Sequence, residues 1–346
     1  MQTELPMQFD RAPYDASGWC YVESAISAVI KPGTKRLDLG KRTKETLDGV
    51  YGGSWRGDNM RLDRACAASR APPSSPEVVM QVLQTEKWFT DVSDVEAVAD
   101  LYYRFFESIA AGTTSLDYSN VSWQAPEVRT LCGVLPRFTQ IALLDFSNNQ
   151  LGSAEAQALV DGGLFQTTLR SLSVAHNKIV GDGAQQLASV VLAKPTFESF
   201  SGIPLMQLRS DSITSLDLKN KGLGVPEAMV LADLIGSVTS SLKDINLSFN
   251  NLTGGKYVKE SSLPGSNYKM ATKVLHEGLE LSVLREKDSD GELLLGTVAG
   301  VIALADALQG NSSLTKCDVR WNGLGDEGDT ALREAVKGRD GFELLL

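Results

Sequence analysis

Along the last two thirds of the chain, apolar residues fall into short alternating blocks. Each is followed by a longer block with apolar residues three and four apart. The alternating blocks share one form. Leu144-Asp145-Phe146-Ser147-Asn148-Asn149-Gln150-Leu151 reads L-x-L-x-x-N-x-L. Leu169–Ile179, Leu242–Leu252 and Leu314–Leu324 carry the longer L-x-x-L-x-L-x-x-N-x-L, allowing aliphatic exchange and Cys317. Weaker copies stand at Leu116-Asp117-Tyr118 and Leu216-Asp217-Leu218. Alternation of this kind predicts a short strand with one buried face.

Spacing orders these blocks. The first core position of each is Leu116, Leu144, Leu172, Phe200, Leu216, Ile245 and Cys317, at intervals of 28, 28, 28, 16, 29 and 72 residues. Twenty-eight residues hold a strand, a loop, a helix and a return. Sixteen do not, so Phe200 is expected to open a half-repeat that reaches Leu216 by plain loop. The interval of 72 is one repeat enlarged by residues 253–296. Helical spacing fills the other intervals, at Ala154–Val160, Gly183–Val190, Pro226–Ile235, Val298–Leu308 and Asp329–Val336. One such unit cannot bury its own apolar side, so neighbours must stack.

This pattern resembles the leucine-rich repeat family, in its long ribonuclease-inhibitor-like subtype, over about residues 112–346. The stretch FSGIPLMQL and the end GFELLL also resemble a multigene group of repeat proteins from unicellular algae. The resemblance implies an α/β fold: a curved leucine-rich-repeat solenoid with parallel strands on the concave side, helices on the convex side and a helical N-terminal cap. It implies that Asn149, Asn177, Asn250 and Asn322 form a buried ladder bonded to neighbouring loop backbone, with Val121 and Lys221 departing from it and leaving looser rungs. Its general role is protein binding, which leaves the partner open.

Two regions break the pattern. In 253–296, Leu279, Leu281 and Val283 alternate with polar residues, and Asp290-Gly291 marks a turn before Leu293–Leu295, which predicts a β-hairpin insertion. Residues 1–111 lack the repeat and read as mainly helical. Trp19, Val22, Ile26 and Val29 fall on one helical face. Ser93-Asp94-Val95-Glu96 has the form of a capping box opening a helix through about Ala110, with Val95, Val98, Leu101, Tyr102 and Phe105 inward.

Charge narrows the function. The 33 basic against 43 acidic residues leave a net −10, which disfavours a nucleic-acid binder and an anionic-membrane binder. The longest uncharged apolar-rich run, Leu293–Ala305, falls short of the ~20 residues a bilayer crossing needs. The start MQTELPMQFD lacks the features of a signal peptide. Cys20, Cys66, Cys132 and Cys317 are dispersed and read as free thiols in a reducing compartment. The expectation is an intracellular protein, cytoplasmic first, with a plastid or mitochondrial location open.

No motif supplies catalysis or a cofactor. Gly18-Trp19-Cys20-Tyr21-Val22-Glu23 is similar to the W-C-x-x-E segment of TIR domains, whose enzymatic members use the matching glutamate, here Glu23, in cleaving NAD. Only 17 residues precede Gly18, too few for the parallel sheet such a domain needs, so a structural helix is favoured. Around Asp288-Ser289-Asp290-Gly291-Glu292, placing Gly291 sixth in an EF-hand puts Thr297 twelfth, where glutamate is required. His276-Glu277-Gly278-Leu279-Glu280 is not HExxH, and Thr253-Gly254-Gly255-Lys256 lacks the rest of a phosphate-binding loop. The expectation is no metal, no cofactor and no enzyme activity.

Protein binding remains, carried by the strand face. Between the core positions of each strand stand Asp117, Asp145, Ser173, Ser201, Asp217, Asn246 and Asp318. Two readings apply: a site for a basic partner, or carboxylates held by local polar groups and diluted by Lys219, Lys243, Lys316 and Arg320. One residue before the ladder asparagine the chain carries Asn148 and His176, and Asn220 at the matching place. In two copies an aromatic stands there, Phe249 and Trp321. If 253–296 loops out, these become neighbours and an anchor for a partner; if it folds back, they become core. The candidate protein-binding set is Asp145, Asp217, Lys219, Asn246, Phe249, Asp318, Arg320 and Trp321. The protein is expected to work as a scaffold or regulatory binder, with a peripheral subunit of a large complex as the alternative. It would act as a monomer or within a hetero-complex.

Overall fold

The structure, a computed structural model, describes residues 16–30, 70–164, 167–237, 239–263, 268–270, 272–286 and 290–346. Cys66, Asp288 and Ser289 lie outside the described residues. The chain divides into two compact units, Met1–Thr113 with Arg129–Gln140, and Thr114–Val128 with Ile141–Leu346.

The described part of the first unit is helical, with α1 at Gly18–Ile30, α2 at Pro76–Thr85 and α3 at Asp94–Gly112. Proline in the first turn and the Ser75 hydroxyl, which accepts from Val78 N at 3.3 Å, start α2. Val22, Val29, Val79, Leu83, Val98, Tyr102 and Phe106 are buried. Three expectations are corrected here. Trp19 is exposed and donates its indole N–H to Asp94 at 3.2 Å. Leu101 also faces out, because the buried stripe of α3 runs through Val98, Ala99, Tyr102, Phe106 and Ala110, about 100° round the helix from it. Ser93 makes no cap: its N–H and hydroxyl both go to Asp91 Oδ1, at 2.9 and 2.7 Å.

In the second unit every core position marks a strand: β1 Ser115–Asp117, β2 Leu143–Asp145, β3 Ser171–Ser173, β4 Ser199–Phe200, β5 Ser215–Asp217 and β6 Asp244–Asn246. Four more strands follow in the insertion, β7 Lys256–Lys259, β8 Lys273–His276, β9 Leu279–Arg285 and β10 Glu292–Gly296. The repeats resume with β11 Lys316–Asp318 and end with β12 Glu343–Leu345. Parallel pairing sets Leu116 beside Leu144, Leu144 beside Leu172 and Leu172 beside Phe200. A second parallel sheet sets Leu216 beside Ile245, Ile245 beside Cys317, and Cys317 beside Leu344. Cys317 therefore neighbours Ile245 across the whole insertion. Helices Ala125–Val134, Ser153–Asp161, Gly181–Ala193, Val225–Ser237, Ala299–Gly310 and Gly325–Ala335 separate the strands. The result is an α/β leucine-rich-repeat fold. Among the described residues no helix is long and apolar enough to cross a membrane.

Two features differ from the sequence reading. The half-repeat after Phe200 is not plain loop but carries a five-residue helix, Leu205–Arg209, and the parallel ladder is interrupted between β4 and β5. The insertion holds four antiparallel strands in the order β7-β10-β9-β8, two more than a hairpin. Its β8–β9 connection is a two-residue turn, with Glu277 at φ 52° and Gly278 at φ 80°. Both central residues are left-handed, which matches the twist of an antiparallel pair.

The asparagine ladder explains why the loops hold register. Asn177 Nδ2 donates to Phe146 O at 2.9 Å and to Val174 O at 2.8 Å, while its Oδ1 accepts from Leu151 N at 3.1 Å. Asn250 spans Leu218 O and Leu247 O, and accepts from Lys221 N and Leu223 N. Asn149 likewise takes Val121 N and Ser122 N, so both rungs that lack their own asparagine are served by the next one. Asn149 and Asn322 are buried; Asn177 and Asn250 are half-buried rather than buried as expected, since their loops lie nearer the surface. Asn177→Leu should cost about 1–3 kcal/mol by stranding these groups. Urea midpoints check this, and an unchanged midpoint contradicts the ladder.

Cys20, Cys132 and Cys317 are free thiols. Burial pushes the Cys132 thiol up to about 11 and that of Cys317 to about 12. Both should resist iodoacetamide in the native protein near neutral pH, while half-buried Cys20 reacts before either of them. Peptide mass mapping after timed alkylation tests the order.

Candidate functional site

Each strand of the repeats ends in a sharp turn. The residue before the ladder asparagine, or its equivalent, takes a left-handed backbone so that the next side chain can point inward. Asn120, Asn148, His176, Asn220, Phe249 and Trp321 have φ of 57, 54, 56, 53, 60 and 60°. They form a row tied by backbone bonds. Asn120 N donates to Ser147 O, Asn148 N to Ala175 O, Asn220 N to Ser248 O and Phe249 N to Arg320 O, at 2.9–3.2 Å. His176 N skips the half-repeat and donates to Gly222 O at 2.7 Å. Gly222, at φ 69°, is required there, because a Cβ would stand 2.3 Å from the His176 ring.

The left-handed region costs an L-residue roughly 1–2 kcal/mol, and Asn bears it best because its short amide bonds locally. Phe and Trp have no such relief. The two aromatics nevertheless stand here and do not repay the cost by burial: Phe249 is 45% and Trp321 73% exposed. Their rings stack with centroids 5.6 Å apart and planes at 23°. Lys219 Nζ lies 5.1 Å above the Phe249 ring. The insertion therefore does not bury the pair, and the core reading of these aromatics is corrected.

The acidic row has a local explanation. Each carboxylate or amide at the strand end accepts the N–H two residues on, from Asp117 to Ser119 at 2.9 Å, Asp145 to Ser147 at 2.7 Å and Asp217 to Lys219 at 3.1 Å. Asn246 does the same with Ser248 at 3.0 Å and Asp318 with Arg320 at 3.1 Å. These side chains shape the turn that presents the row. Asp318 is further removed from solvent. It is buried and held by Arg320 Nε at 3.0 Å and Nη2 at 2.7 Å, and this pairing keeps its carboxyl below the usual carboxylate range against the effect of burial.

Of the residues singled out in the sequence, Asp217, Asn246 and Asp318 lie side by side in register. Lys219, Phe249 and Trp321 form one stack beside them. Asp145 belongs to the other parallel sheet. Asp318 and Arg320 satisfy each other, so neither offers a free charge. Glu23 lies on the exposed side of α1. Among the described residues of that unit, strand pairing is limited to the single bridge between Ser17 and Trp88, and no sheet stands beside Glu23.

Sequence reasoning missed a cleft of about 720 Å³ beside the row. Its floor is the strand-exit loops at Asn149–Glu155, His176–Val180, Asn220–Gly224 and Phe249–Gly255, and its roof is Glu277 of the β8–β9 turn with Leu279 and Leu281 of β9. The two-residue turn Glu277-Gly278 was the available signal.

Comparison with known proteins agrees with the geometry. A family profile described as leucine-rich repeat matches residues 165–188 and 310–332. The chain is 25% identical over 252 residues to Protein CARMIL of Dictyostelium discoideum, covering 66% of this chain and 23% of that protein. It is 28% identical over 239 residues to Ribonuclease inhibitor of Mus musculus, covering 64% of this chain and 48% of the relative. The chain thus spans under half the length of these relatives.

Proposed function

We propose that this chain, a leucine-rich-repeat protein of the ribonuclease-inhibitor-like kind, is a non-catalytic scaffold or regulatory binder of another protein. Its contact is centred on the strand-exit row. The carrying observation is the exposed Phe249–Trp321 stack held at two left-handed positions where other repeats use asparagine or histidine. Large aromatics in a surface patch are the usual anchors of protein interfaces. Backbone strain persists where function retains it. The name of the murine relative supports the same class, because an inhibitor works by binding its target. In this reading the repeats form a curved solenoid with the row at the rim of its strand side. The helical N-terminal unit serves as the cap that an open stack of repeats needs.

A second reading, a permanent peripheral subunit of a large complex, is favoured by the insertion, whose Tyr257 and Leu275 are 52% and 68% exposed. Affinity purification from the native cell, followed by dilution and sizing, separates the two. A binder is expected to dissociate on dilution, whereas a subunit stays at constant stoichiometry. A partner held only through Tyr257 and Leu275 would defeat the row as the contact. Incubation with NAD is expected to release no nicotinamide, and release abolished by Glu23→Ala would place the protein in a different class.

A further inference from the structure

The cleft beside the aromatic pair has features that the aromatics alone do not explain. Its roof is fixed at two points. Lys256 of β7 pairs with Glu277 of the turn, and Leu279 Cδ2 comes within 3.5 Å of the space a Cβ on Gly181 would fill. The roof therefore holds a defined gap above the loops. Four strand-exit loops, those after β2, β3, β5 and β6, make the floor, and His176 N to Gly222 O at 2.7 Å joins the second to the third past the half-repeat. At about 4.8 Å per step they run for about 14 Å, the length of about four residues of extended peptide.

The lining is polar in a particular way. The side chains of Gln150 and Asn220 are exposed and make no hydrogen bond among the described residues. An exposed side-chain amide offers a donor and an acceptor side by side, which is what the backbone of an extended peptide needs. The exposed charges do not cancel. Glu277 pairs with Lys256 and also lies within electrostatic reach of Lys178, one exposed carboxylate for two lysines. Glu155 is buried, its oxygens taken by Ala125 N at 3.0 Å and Gly152 N at 2.8 Å. Lys178 remains, exposed and without a bonded carboxylate among the described residues, in a protein of net charge −10. At one end the cleft is bounded by Phe249.

We infer that this cleft takes an extended segment of the partner about four residues long. An acidic side chain of that segment meets Lys178, and a large apolar or aromatic side chain packs on the Phe249–Trp321 stack. Gln150 and Asn220 bond its backbone. This rests on the binder reading and adds to it the occupant's conformation and charge.

A random peptide library displayed on phage, selected against the full chain, tests it directly. The probe afterwards is the most enriched peptide, fluorescently labelled, with binding read by anisotropy. Lys178 is exposed, so Lys178→Glu should fold. The expected result is enrichment of peptides carrying Asp or Glu a few residues from an aromatic or large aliphatic residue. Binding should be weakened at least tenfold by Lys178→Glu and at least tenfold by Phe249→Ala with Trp321→Ala. Peptides that lose binding in the aromatic variant but not in Lys178→Glu would overturn the cleft assignment and leave the binder reading standing. Peptides indifferent to the aromatic variant and lost in Lys178→Glu would keep the cleft and overturn the stack as its anchor. Enrichment of basic peptides, or no enrichment at all, would overturn the inference.

Discussion

Phe249→Ala with Trp321→Ala should leave the melting temperature within a few degrees and weaken partner binding by about 2 kcal/mol or more, roughly thirtyfold. The two effects separate because the rings are exposed. Truncating a buried aromatic costs about 3–5 kcal/mol, since it opens a cavity. Rings that are 45% and 73% exposed leave little cavity behind. Backbone strain acts in the opposite sense. At φ near 60° asparagine is at ease, so Phe249→Asn with Trp321→Asn should match or exceed the wild type in stability by up to about 1 kcal/mol. A pair of substitutions that stabilises the chain while abolishing binding would be the mark of a site retained for its contact. A loss of several kcal/mol of stability would show that the rings belong to the core.

Glu227 carries the second large effect. It is buried and lies where the ladder is interrupted. Its Oε1 accepts from the Ser201 hydroxyl at 2.7 Å and its Oε2 from Gly224 N at 2.9 Å. Ser201 Oγ in turn accepts from Val174 N at 3.0 Å. One carboxyl thus starts a helix and fastens the half-repeat to the next repeat. Glu227→Ala should cost about 1–3 kcal/mol by stranding these groups. Burial raises its pKa above the ordinary carboxylate value. The folded protein therefore holds this proton more tightly than the unfolded chain does. The stability it contributes is fully present below the unfolded pKa of about 4.3 and is lost as pH rises through the raised folded value. Glu227→Gln keeps a neutral group of the same shape. It should gain stability over the wild type at pH 8 and lose that advantage at pH 4. An identical difference in urea midpoint at both pH values would contradict a buried carboxyl that titrates.

Much of the repeat fold was legible because burial and period agree. Leu116, Leu144, Leu172, Phe200, Leu216, Ile245 and Cys317 each sit at the centre or end of a strand, and the 28-residue spacing leaves one way to pair them. The neighbourhood of Phe249 and Trp321 followed from the same arithmetic. Other features had weaker signals. The two strands added to the hairpin, β7 and β8, are each four residues long, and periodicity cannot distinguish so short a strand from loop. The last strand, β12, lacks the asparagine that marked the others. Helix faces were misjudged at Trp19 and Leu101 because large apolar residues were assumed to point inward, a rule that holds in one direction only. For the acidic row the sequence left two readings, a site for a basic partner or carboxylates held by local polar groups, and the bonds to N–H groups two residues on agree with the second. The left-handed row left a trace, asparagine at 120, 148 and 220, but a backbone angle is not written in hydrophobic pattern.

Lysine-specific cross-linking of the wild-type chain to its partner, in extract of the native cell, tests the central claim most directly. The lysines sample each surface: Lys178 and Lys219 lie in the strand-exit loops, Lys243 at the entry to β6, Lys259 and Lys273 on the insertion, and Lys337 beyond the last helix of the repeats. Cross-links concentrated on Lys178 and Lys219, and lost with Phe249→Ala and Trp321→Ala, are the predicted result. Cross-links confined to Lys337 or to Lys259 and Lys273, unchanged in that variant, would contradict a partner bound at the strand-exit row.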